Sequence, residues 1–190
     1  DNSISAKAPL IKIKFPVDPN DIFIAICDNG MGMSSDELFD AMKYGSAMKG
    51  SCRDESDLGR FGLGLKAASL SQCRKLTVVS KKNNEISAYL WDLDHIEQEE
   101  KWSIGKCNDE EIKKIKYVNF LEDYDSGTVV LWEKFDFIEK AAGNVYTELS
   151  KYQESTSNYI ALIFHGFLNQ DKAEKIKIEV NNFSVVGMDP

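Results

Sequence analysis

The sequence predicts a single α/β domain, with strands and helices drawn from one chain of 190 residues. Short runs rich in β-branched and aromatic residues, bounded by Gly, Pro, Asn and Asp, predict strands. Other segments carry capping signals and apolar residues at helical spacing, which predict helices. A chain of this length can bury one sizeable core.

The composition excludes several classes of function. The chain is 43% hydrophobic and 28% charged, which is typical of a soluble globular protein. No apolar run approaches the roughly 18 residues of a membrane helix and no signal peptide is visible, so we expect no membrane partner. The net charge of −8 argues against a free-standing nucleic-acid clamp. The four cysteines are widely spaced and lie near no histidine, so we expect no cysteine metal site, and we expect reduced thiols in a cytoplasmic protein.

The first elements lead to a buried strand. Residues 1–8 look like the second half of a helix that Pro9 ends, and we therefore expect further residues upstream. Residues 10–15 alternate apolar and basic side chains, which indicates a half-exposed strand. After a turn over residues 16–21, the apolar run at residues 22–27 predicts a buried strand.

The stretch Asp-Asn-Gly-Met-Gly-Met over residues 28–33 follows this strand directly. Asp28 places a carboxylate at the end of a buried strand. Gly30 and Gly32 would let a flat ligand approach the backbone closely. The alternative interpretation is an ordinary Asn-Gly turn between a strand and a helix.

A capped helix and a polar loop come next. Ser34 and Glu37 have the spacing of a capping box, which predicts a helix over residues 35–44 with Gly45 as its stop. Residues 46–58 are polar, small and of mixed charge. They predict a loop of a length that is usually functional or mobile.

A glycine-rich stretch then opens a helix that we expect to run to about residue 73. Gly59, Gly62 and Gly64 expose backbone N–H groups at a helix start, which favours a phosphate, and Lys66 can add a cation. The alternative is a helix entry without a ligand. The P-loop spacing is not met, because alanine follows Lys66. A dinucleotide pattern, GxGxxA, is present but lacks the strand that must precede it.

The remaining chain predicts strands at residues 76–80, 86–91 and 127–132, the first two joined by a Lys-Lys-Asn-Asn turn. Residues 92–119 are weakly patterned, with a short helix near residues 109–116. Residues 137–167 are expected to be mostly helical. The predicted core contacts of that helix are Tyr152, Tyr159, Ile160, Ile163 and Phe164. A terminal hairpin is predicted from residues 175–180 and 183–186, around an Asn-Asn turn.

Several motifs occur in a characteristic order: Asp-x-Gly-x-Gly, a polar loop, Gly-x-x-Gly-x-Gly, then Gly-Thr at residues 127–128. Together they resemble the ATP-binding domain of gyrase-type topoisomerases, heat-shock chaperones, sensor histidine kinases and mismatch-repair proteins, the GHKL superfamily. Residues 43–46 and 59–69 most resemble its MORC-type and related bacterial members. The resemblance covers residues 1 to about 131. It implies a two-layer α/β sandwich of the Bergerat type, with a mixed, mostly antiparallel sheet, helices on one face, and ATP and Mg²⁺ between the layers.

The resemblance also implies a domain organisation. Residues 1–190 would form one such domain, truncated within its first motif, with residues 175–190 as a junction to a downstream domain. The general-base glutamate would lie upstream of Asp1, so this chain would contain no catalytic residue and would be inactive by itself. Asn2 would be the Mg²⁺ ligand. Ser5 stands where many members carry an acidic residue, so the resemblance does not extend to that contact.

Nucleotide contacts are implied for particular residues. Asp28 would accept a hydrogen bond from the exocyclic amine of adenine, a donor that guanine lacks at that position. Thr128 would support the same edge through a water, or is an ordinary strand threonine. Lys66 would reach the phosphates, or is a solvated helix lysine. The other implied contacts are Gly30, Gly32, Met33, Ser46, Gly59, Arg60, Phe61, Gly62, Leu63 and Gly64.

The function implied is that of an ATPase module in a larger protein. Its nucleotide state would drive closure of residues 46–58 as a lid and formation of a homodimer, and any nucleic-acid link would run through other domains. Two alternatives stay open. A histidine kinase catalytic domain would need a phosphoacceptor helix upstream. A non-hydrolysing nucleotide-binding or scaffold module would be favoured if the full-length protein lacked the glutamate.

Overall fold

The structure, a computed structural model, describes most of the chain: residues 1–18, 20–43, 64–136, 145–169 and 175–189. The predictions for Gly45, for the polar loop and for all of the glycine-rich stretch before Gly64 lie outside the described residues.

Within these residues, one sheet contains eight strands: β1 (Leu10–Lys14), β2 (Phe23–Asp28), β3 (Lys75–Lys82), β4 (Glu85–Asp92), β5 (Gly105–Lys106), β6 (Gly127–Glu133), β7 (Lys177–Val180) and β8 (Phe183–Ser184). Their order across the sheet is β5-β4-β3-β6-β2-β1-β7-β8. All neighbours are antiparallel except β1 and β7. The mixed, mostly antiparallel sheet that the resemblance implied is confirmed, and both of its outermost strands have two residues.

The described helical segments are α1 (Asn2–Ser5), α2 (Ser35–Met42), a π-helical turn (Gly64–Ala68), α3 (Leu93–Glu99), α4 (Asp109–Ile112), a 3₁₀ helix (Val118–Asp123), α5 (Val145–Ile163) and α6 (His165–Leu168). None of these described helices has the length and apolar character needed to cross a bilayer.

Local sequence signals explain several boundaries. The capping box at α2 is complete: the Ser34 hydroxyl accepts from the Glu37 N–H, and the Glu37 carboxylate accepts from the Ser34 N–H. The β3–β4 hairpin turns on Asn83 and Asn84, whose φ angles are 52° and 64°. The β7–β8 hairpin turns on a second Asn-Asn pair, also with positive φ. Asparagine tolerates this left-handed backbone, which two-residue hairpin turns require.

The two faces of the sheet are covered differently. On one face, α2, α3 and α5 pack apolar side chains against β3 and β4; we call it the helix face. The opposite face is covered in part by α4 and the 3₁₀ helix, which contribute Ile112 and Leu121. A third cluster joins β1 and β7 to the end of α5 and to α6. The α/β two-layer fold class is confirmed.

The predicted core face of α5 is wrong at three positions. Tyr152, Tyr159 and Ile163 are 44%, 62% and 56% exposed, whereas Ile160 is buried as predicted and Phe164 packs against the core. Leu149 and Ile160 are 11 residues apart, which is just over three whole turns, and therefore share a face. Each exposed side chain precedes a core-facing position by one residue, which rotates it by about 100°.

Other boundaries also differ from expectation. The first helix ends at Ser5 rather than at Pro9. The helix after the glycine-rich stretch is shorter than predicted, since a turn follows at residues 71–72. Helix α3, strand β5 and the 3₁₀ helix were missed, because residues 92–119 carry no clear period in the sequence.

Candidate functional site

The buried carboxylate of Asp28 stands at the end of β2, on the helix face, and is 5% exposed. Its Oδ2 accepts a hydrogen bond of 2.8 Å from the Ser3 hydroxyl. Its Oδ1 accepts one of 3.0 Å from the backbone N–H of Gly30. Each carboxylate oxygen can accept two hydrogen bonds, so each retains acceptor capacity for a ligand.

Burial raises the pKa of Asp28, and the hydrogen bonds from Ser3 and Gly30 oppose that rise. The ionised carboxylate is therefore held in a place where its charge is costly. An additional N–H donor from a ligand would stabilise the ionised form. The side chain is thus suited to recognise a hydrogen-bond donor.

A row of four polar side chains crosses the helix face beside Asp28. Thr128 on β6 is the register partner of Asp28, and it also faces Ser80 on β3. Ser80 in turn pairs with Ser87 on β4. Directly opposed side chains have Cβ atoms about 5 Å apart, so the row is continuous across four strands. We call Asp28, Thr128, Ser80 and Ser87 the polar row.

Ser80 is the best-connected member of the polar row. Its hydroxyl accepts a hydrogen bond of 2.8 Å from the Met33 N–H and lies 3.1 Å from the Gly127 carbonyl oxygen. It is also 3.0 Å from the Thr128 hydroxyl, where either group can donate. Ser80 therefore ties the loop after β2 to the start of β6.

Ser87 behaves differently. Among the described residues, its hydroxyl is the buried side-chain polar atom that lacks a hydrogen-bond partner. Its neighbour Ser80 is bonded on every side. The two serines thus lie opposite each other on the same face of the sheet, but the Ser80 hydroxyl is hydrogen-bonded and the Ser87 hydroxyl is not.

Two glycines after Asp28 are required by close backbone packing. A Cβ at Gly32 would lie 1.9 Å from the Lys81 carbonyl oxygen, and its φ of +61° already disfavours other residues. A Cβ at Gly30 would lie 2.7 Å from the Ala6 carbonyl oxygen. The Met31 N–H donates 3.0 Å to that same carbonyl. The loop is therefore fixed between β3 and the segment that follows α1.

Helix α1 is fixed beside Asp28 by the same contacts. Ser3, through its bond to Asp28, anchors the helix, and the preceding residue Asn2 is exposed. The amide of Asn2 is therefore accessible next to the carboxylate site. An amide oxygen is a ligand that Mg²⁺ accepts.

Comparison with known proteins identifies the family. A family model described as "Histidine kinase-, DNA gyrase B-, and HSP90-like ATPase" matches residues 1–128. The chain belongs to this family of ATPases.

Similar proteins include two kinds of relative. ATPase morc-1 of Caenorhabditis elegans is 34% identical over 90 residues, which cover 47% of this chain and 10% of that protein. The chaperone protein HtpG of Natranaerobius thermophilus is 31% identical over 140 residues, covering 66% of this chain and 22% of HtpG. HtpG of Sulfurovum sp. is 27% identical over 154 residues, covering 75% and 24%. The chain thus spans a minor part of these relatives' length, and the predicted GHKL resemblance with MORC-like motifs is confirmed.

Within this ATPase fold, Lys66 is not the solvated helix lysine considered above. It is 1% exposed, and its ammonium donates to the carbonyl of Lys43, just past the end of α2. Burial lowers the pKa of Lys66. The Trp91 indole N–H donates a hydrogen bond of 2.9 Å to the adjacent Met42 carbonyl. Two side chains therefore pair with backbone carbonyls at the end of α2. Contact of Lys66 with phosphate stays a prediction.

The other predicted contacts are placed as follows. The backbone N–H of Met33 donates the hydrogen bond that the Ser80 hydroxyl accepts, and Gly64 begins the π-helical turn. Six predicted contacts lie outside the described residues: Ser46, Gly59, Arg60, Phe61, Gly62 and Leu63. The roles of all these residues, and of Asn2 and Thr128, stay predictions.

Sequence reasoning missed Ser3 and Ser80 as parts of the site. Both are tied to Asp28 or Thr128 by hydrogen bonds between residues 25 and 48 positions apart. One signal was available: Ser80 is a hydroxyl residue at the end of an apolar strand run, on the same alternating face as the core residues Leu76 and Val78.

Proposed function

We propose that this domain binds ATP with Mg²⁺, with Asp28 recognising the adenine amine. We further propose that ATP is hydrolysed slowly in a chain that carries the glutamate expected before Asp1. The observation that carries the proposal is the buried Asp28 carboxylate, which is fixed by two hydrogen bonds and retains acceptor capacity.

Base selection follows from the chemistry of Asp28. The exocyclic amine of adenine donates to a carboxylate. Guanine presents a carbonyl oxygen at the same position, which would face the carboxylate without a proton between them. Leaving a buried polar group unpaired costs about 1–3 kcal/mol, so ATP is favoured over GTP by roughly fivefold to a hundredfold.

The described residues fit an ion that is held mainly by phosphate and water. No group of three His, Cys, Asp or Glu side chains in the described part of the chain could hold a metal by itself. Mg²⁺ commonly keeps several waters and binds through substrate phosphates with few protein ligands. Asn2 would supply one amide oxygen, and the bound ion would neutralise phosphate charge.

The phosphates would lie at the glycine-rich stretch. We propose that backbone N–H groups of residues 59–64 cradle them and that Lys66 contributes a positive charge. The order of motifs in the sequence supports this placement. It also supports our proposals that residues 46–58 close over the nucleotide and that dimerisation depends on the nucleotide. We further propose that the protein is cytoplasmic.

The binding proposal is tested by titrating the purified chain with ADP–Mg²⁺ and GDP–Mg²⁺, by calorimetry and by thermal melting. At a hundred times its Kd, ADP should stabilise the parent by about 2.7 kcal/mol. For a domain of this size, that raises Tm by roughly 5–11 °C. Asp28→Asn should lose this shift, while Asp123→Asn, which changes an exposed aspartate, should keep it.

Two results would overturn the proposal. ADP–Mg²⁺ could leave the Tm of the parent unchanged, or Asp28→Asn could respond to ADP as Asp123→Asn does. Protection by GDP equal to that by ADP would refute the adenine-reading role of Asp28 while leaving nucleotide binding intact. Phosphate release by the longer protein then separates an ATPase from a module that binds ATP without hydrolysing it.

A further inference from the structure

We infer that Ser80 is a positioning residue: it orients the Thr128 hydroxyl so that Thr128 donates to the purine ring nitrogen beside the exocyclic amine. The inference rests on the proposed adenine site at Asp28 and extends it by one strand. Ser80 does not touch the nucleotide in this scheme and acts through Thr128.

The hydrogen-bond inventory at Ser80 limits what its proton can do. Ser80 is 0% exposed, so no bulk water competes for its hydroxyl. The Met33 N–H can only donate, and it occupies one lone pair of Ser80 at 2.8 Å. The single Ser80 proton must therefore go either to the Gly127 carbonyl at 3.1 Å or to the Thr128 hydroxyl at 3.0 Å.

These two arrangements give Thr128 opposite properties. If Ser80 donates to Gly127, Thr128 must donate to Ser80, and it offers only lone pairs to a ligand. If Ser80 donates to Thr128, the Thr128 proton is free to point toward a ligand. The hydrogen bond between Ser80 and Thr128 can thus run in either direction, and a bound base selects which hydroxyl donates.

Adenine selects the second arrangement. Its amine donates to Asp28, the register partner of Thr128. The adjacent ring nitrogen, N1, is an acceptor and needs a donor. Ser80 supplies the proton that satisfies the Thr128 oxygen and so releases the Thr128 proton toward N1. A water between Thr128 and N1 would transmit the same direction of donation. The chain of donors strengthens each of its members in a buried site.

Ser87 provides a matched control. It lies on the same face one strand further from Asp28, in register with Ser80, and is 8% exposed. Its hydroxyl has no partner among the described residues. Ser87→Ala removes the same atom as Ser80→Ala and breaks no hydrogen bond within the described part of the chain.

The experiment measures binding of ADP–Mg²⁺ and of 1-deaza-ADP–Mg²⁺, which lacks the N1 acceptor, by calorimetry. The parent and Ser87→Ala should bind 1-deaza-ADP about tenfold more weakly than ADP, the value of one hydrogen bond. In Ser80→Ala the Thr128 hydroxyl keeps its proton but is no longer held toward N1. This variant should therefore bind ADP about threefold more weakly than the parent, and the penalty for removing N1 should shrink to about threefold, by the cost of immobilising one side chain. Ser80→Thr, which keeps the hydroxyl, should restore both values.

Several outcomes refute the inference. Ser80→Ala could match Ser87→Ala in ADP affinity, or it could weaken ADP and 1-deaza-ADP by the same factor, which a merely structural serine would do. If Ser80→Ala does not fold, Ser80→Cys retains the volume with a weak donor, and it must show the same loss of N1 dependence. Failure of the parent to bind ADP would instead refute the proposed function, so the two failures are distinguishable.

Discussion

Gly32→Ala should lower the free energy of unfolding of this domain by more than an average glycine substitution does. The new Cβ would lie 1.9 Å from the Lys81 carbonyl oxygen, which belongs to the backbone of β3 and cannot rotate away. The φ of +61° adds a left-handed backbone cost of roughly 1–2 kcal/mol. Relieving the overlap costs about 1–3 kcal/mol more. The sum is about 2–5 kcal/mol, which lowers Tm by roughly 4–20 °C in a domain of this size.

Urea unfolding followed by tryptophan fluorescence measures this loss, since the chain has three tryptophans. Gly166→Ala is the matched control. Its added Cβ would meet no atom within 4 Å, in helix α6. Alanine is favoured over glycine in a helix by about 0.5–1 kcal/mol, so this variant should equal or exceed the parent.

A Gly32→Ala protein with the parent's free energy of unfolding would refute the packing argument. If that protein had also lost ADP binding, Gly32 would be needed for the purine pocket rather than for the fold. Loss of stability together with residual ADP binding would support the structural role assigned here.

Two further predictions concern buried charges. Burial raises the pKa of Asp28, so over the pH range between its unfolded and folded pKa values the folded state holds a proton that the unfolded chain has released. The contribution of Asp28 to the free energy of unfolding therefore falls as pH rises through this range. Asp28→Asn should therefore be at least as stable as the parent near pH 7 without nucleotide. Urea unfolding should show that this advantage disappears below about pH 4. An advantage of the same size at every pH would contradict the prediction. Lys66→Met should weaken ADP binding by about tenfold and leave adenosine binding unchanged, as one lost charged hydrogen bond predicts; equal losses in calorimetry for both ligands would refute a phosphate contact.

Local signals predicted much of the frame around the site. The apolar run before Asp28 predicted a buried strand, and the Ser34–Glu37 spacing predicted the start of α2. Two Asn-Asn pairs marked both tight hairpins, because asparagine accepts positive φ. These features depend on residues within a few positions of one another, which a single sequence displays directly.

Contacts between distant residues were not predictable in this way. Ser80 and Thr128 are 48 residues apart, and only strand register brings their hydroxyls to 3.0 Å. For Lys66 the sequence left two interpretations open, a phosphate contact and a solvated helix lysine. Its burial depends on where the end of α2 is packed, which no local period encodes.

The face of α5 shows a related limit. Tyr159 and Ile160 are neighbours with similar apolar content, and a helix rotated by one residue would bury either of them. Packing against β1 and β7 decides in favour of Ile160. Amphipathic spacing therefore predicted a helix in this part of the chain, with two of its five core contacts, Ile160 and Phe164, correct and the other three wrong.

The two-residue strands at both ends of the sheet limit how copies of this domain can associate. A long, unpaired edge strand recruits other chains by continuing the hydrogen-bond ladder. Among the described residues, the outermost strands β5 and β8 each offer only two residues for such pairing, too few for a long ladder with another chain. Two copies that met at β5 or β8 would therefore share few backbone hydrogen bonds, and side-chain contacts would have to supply most of the binding energy.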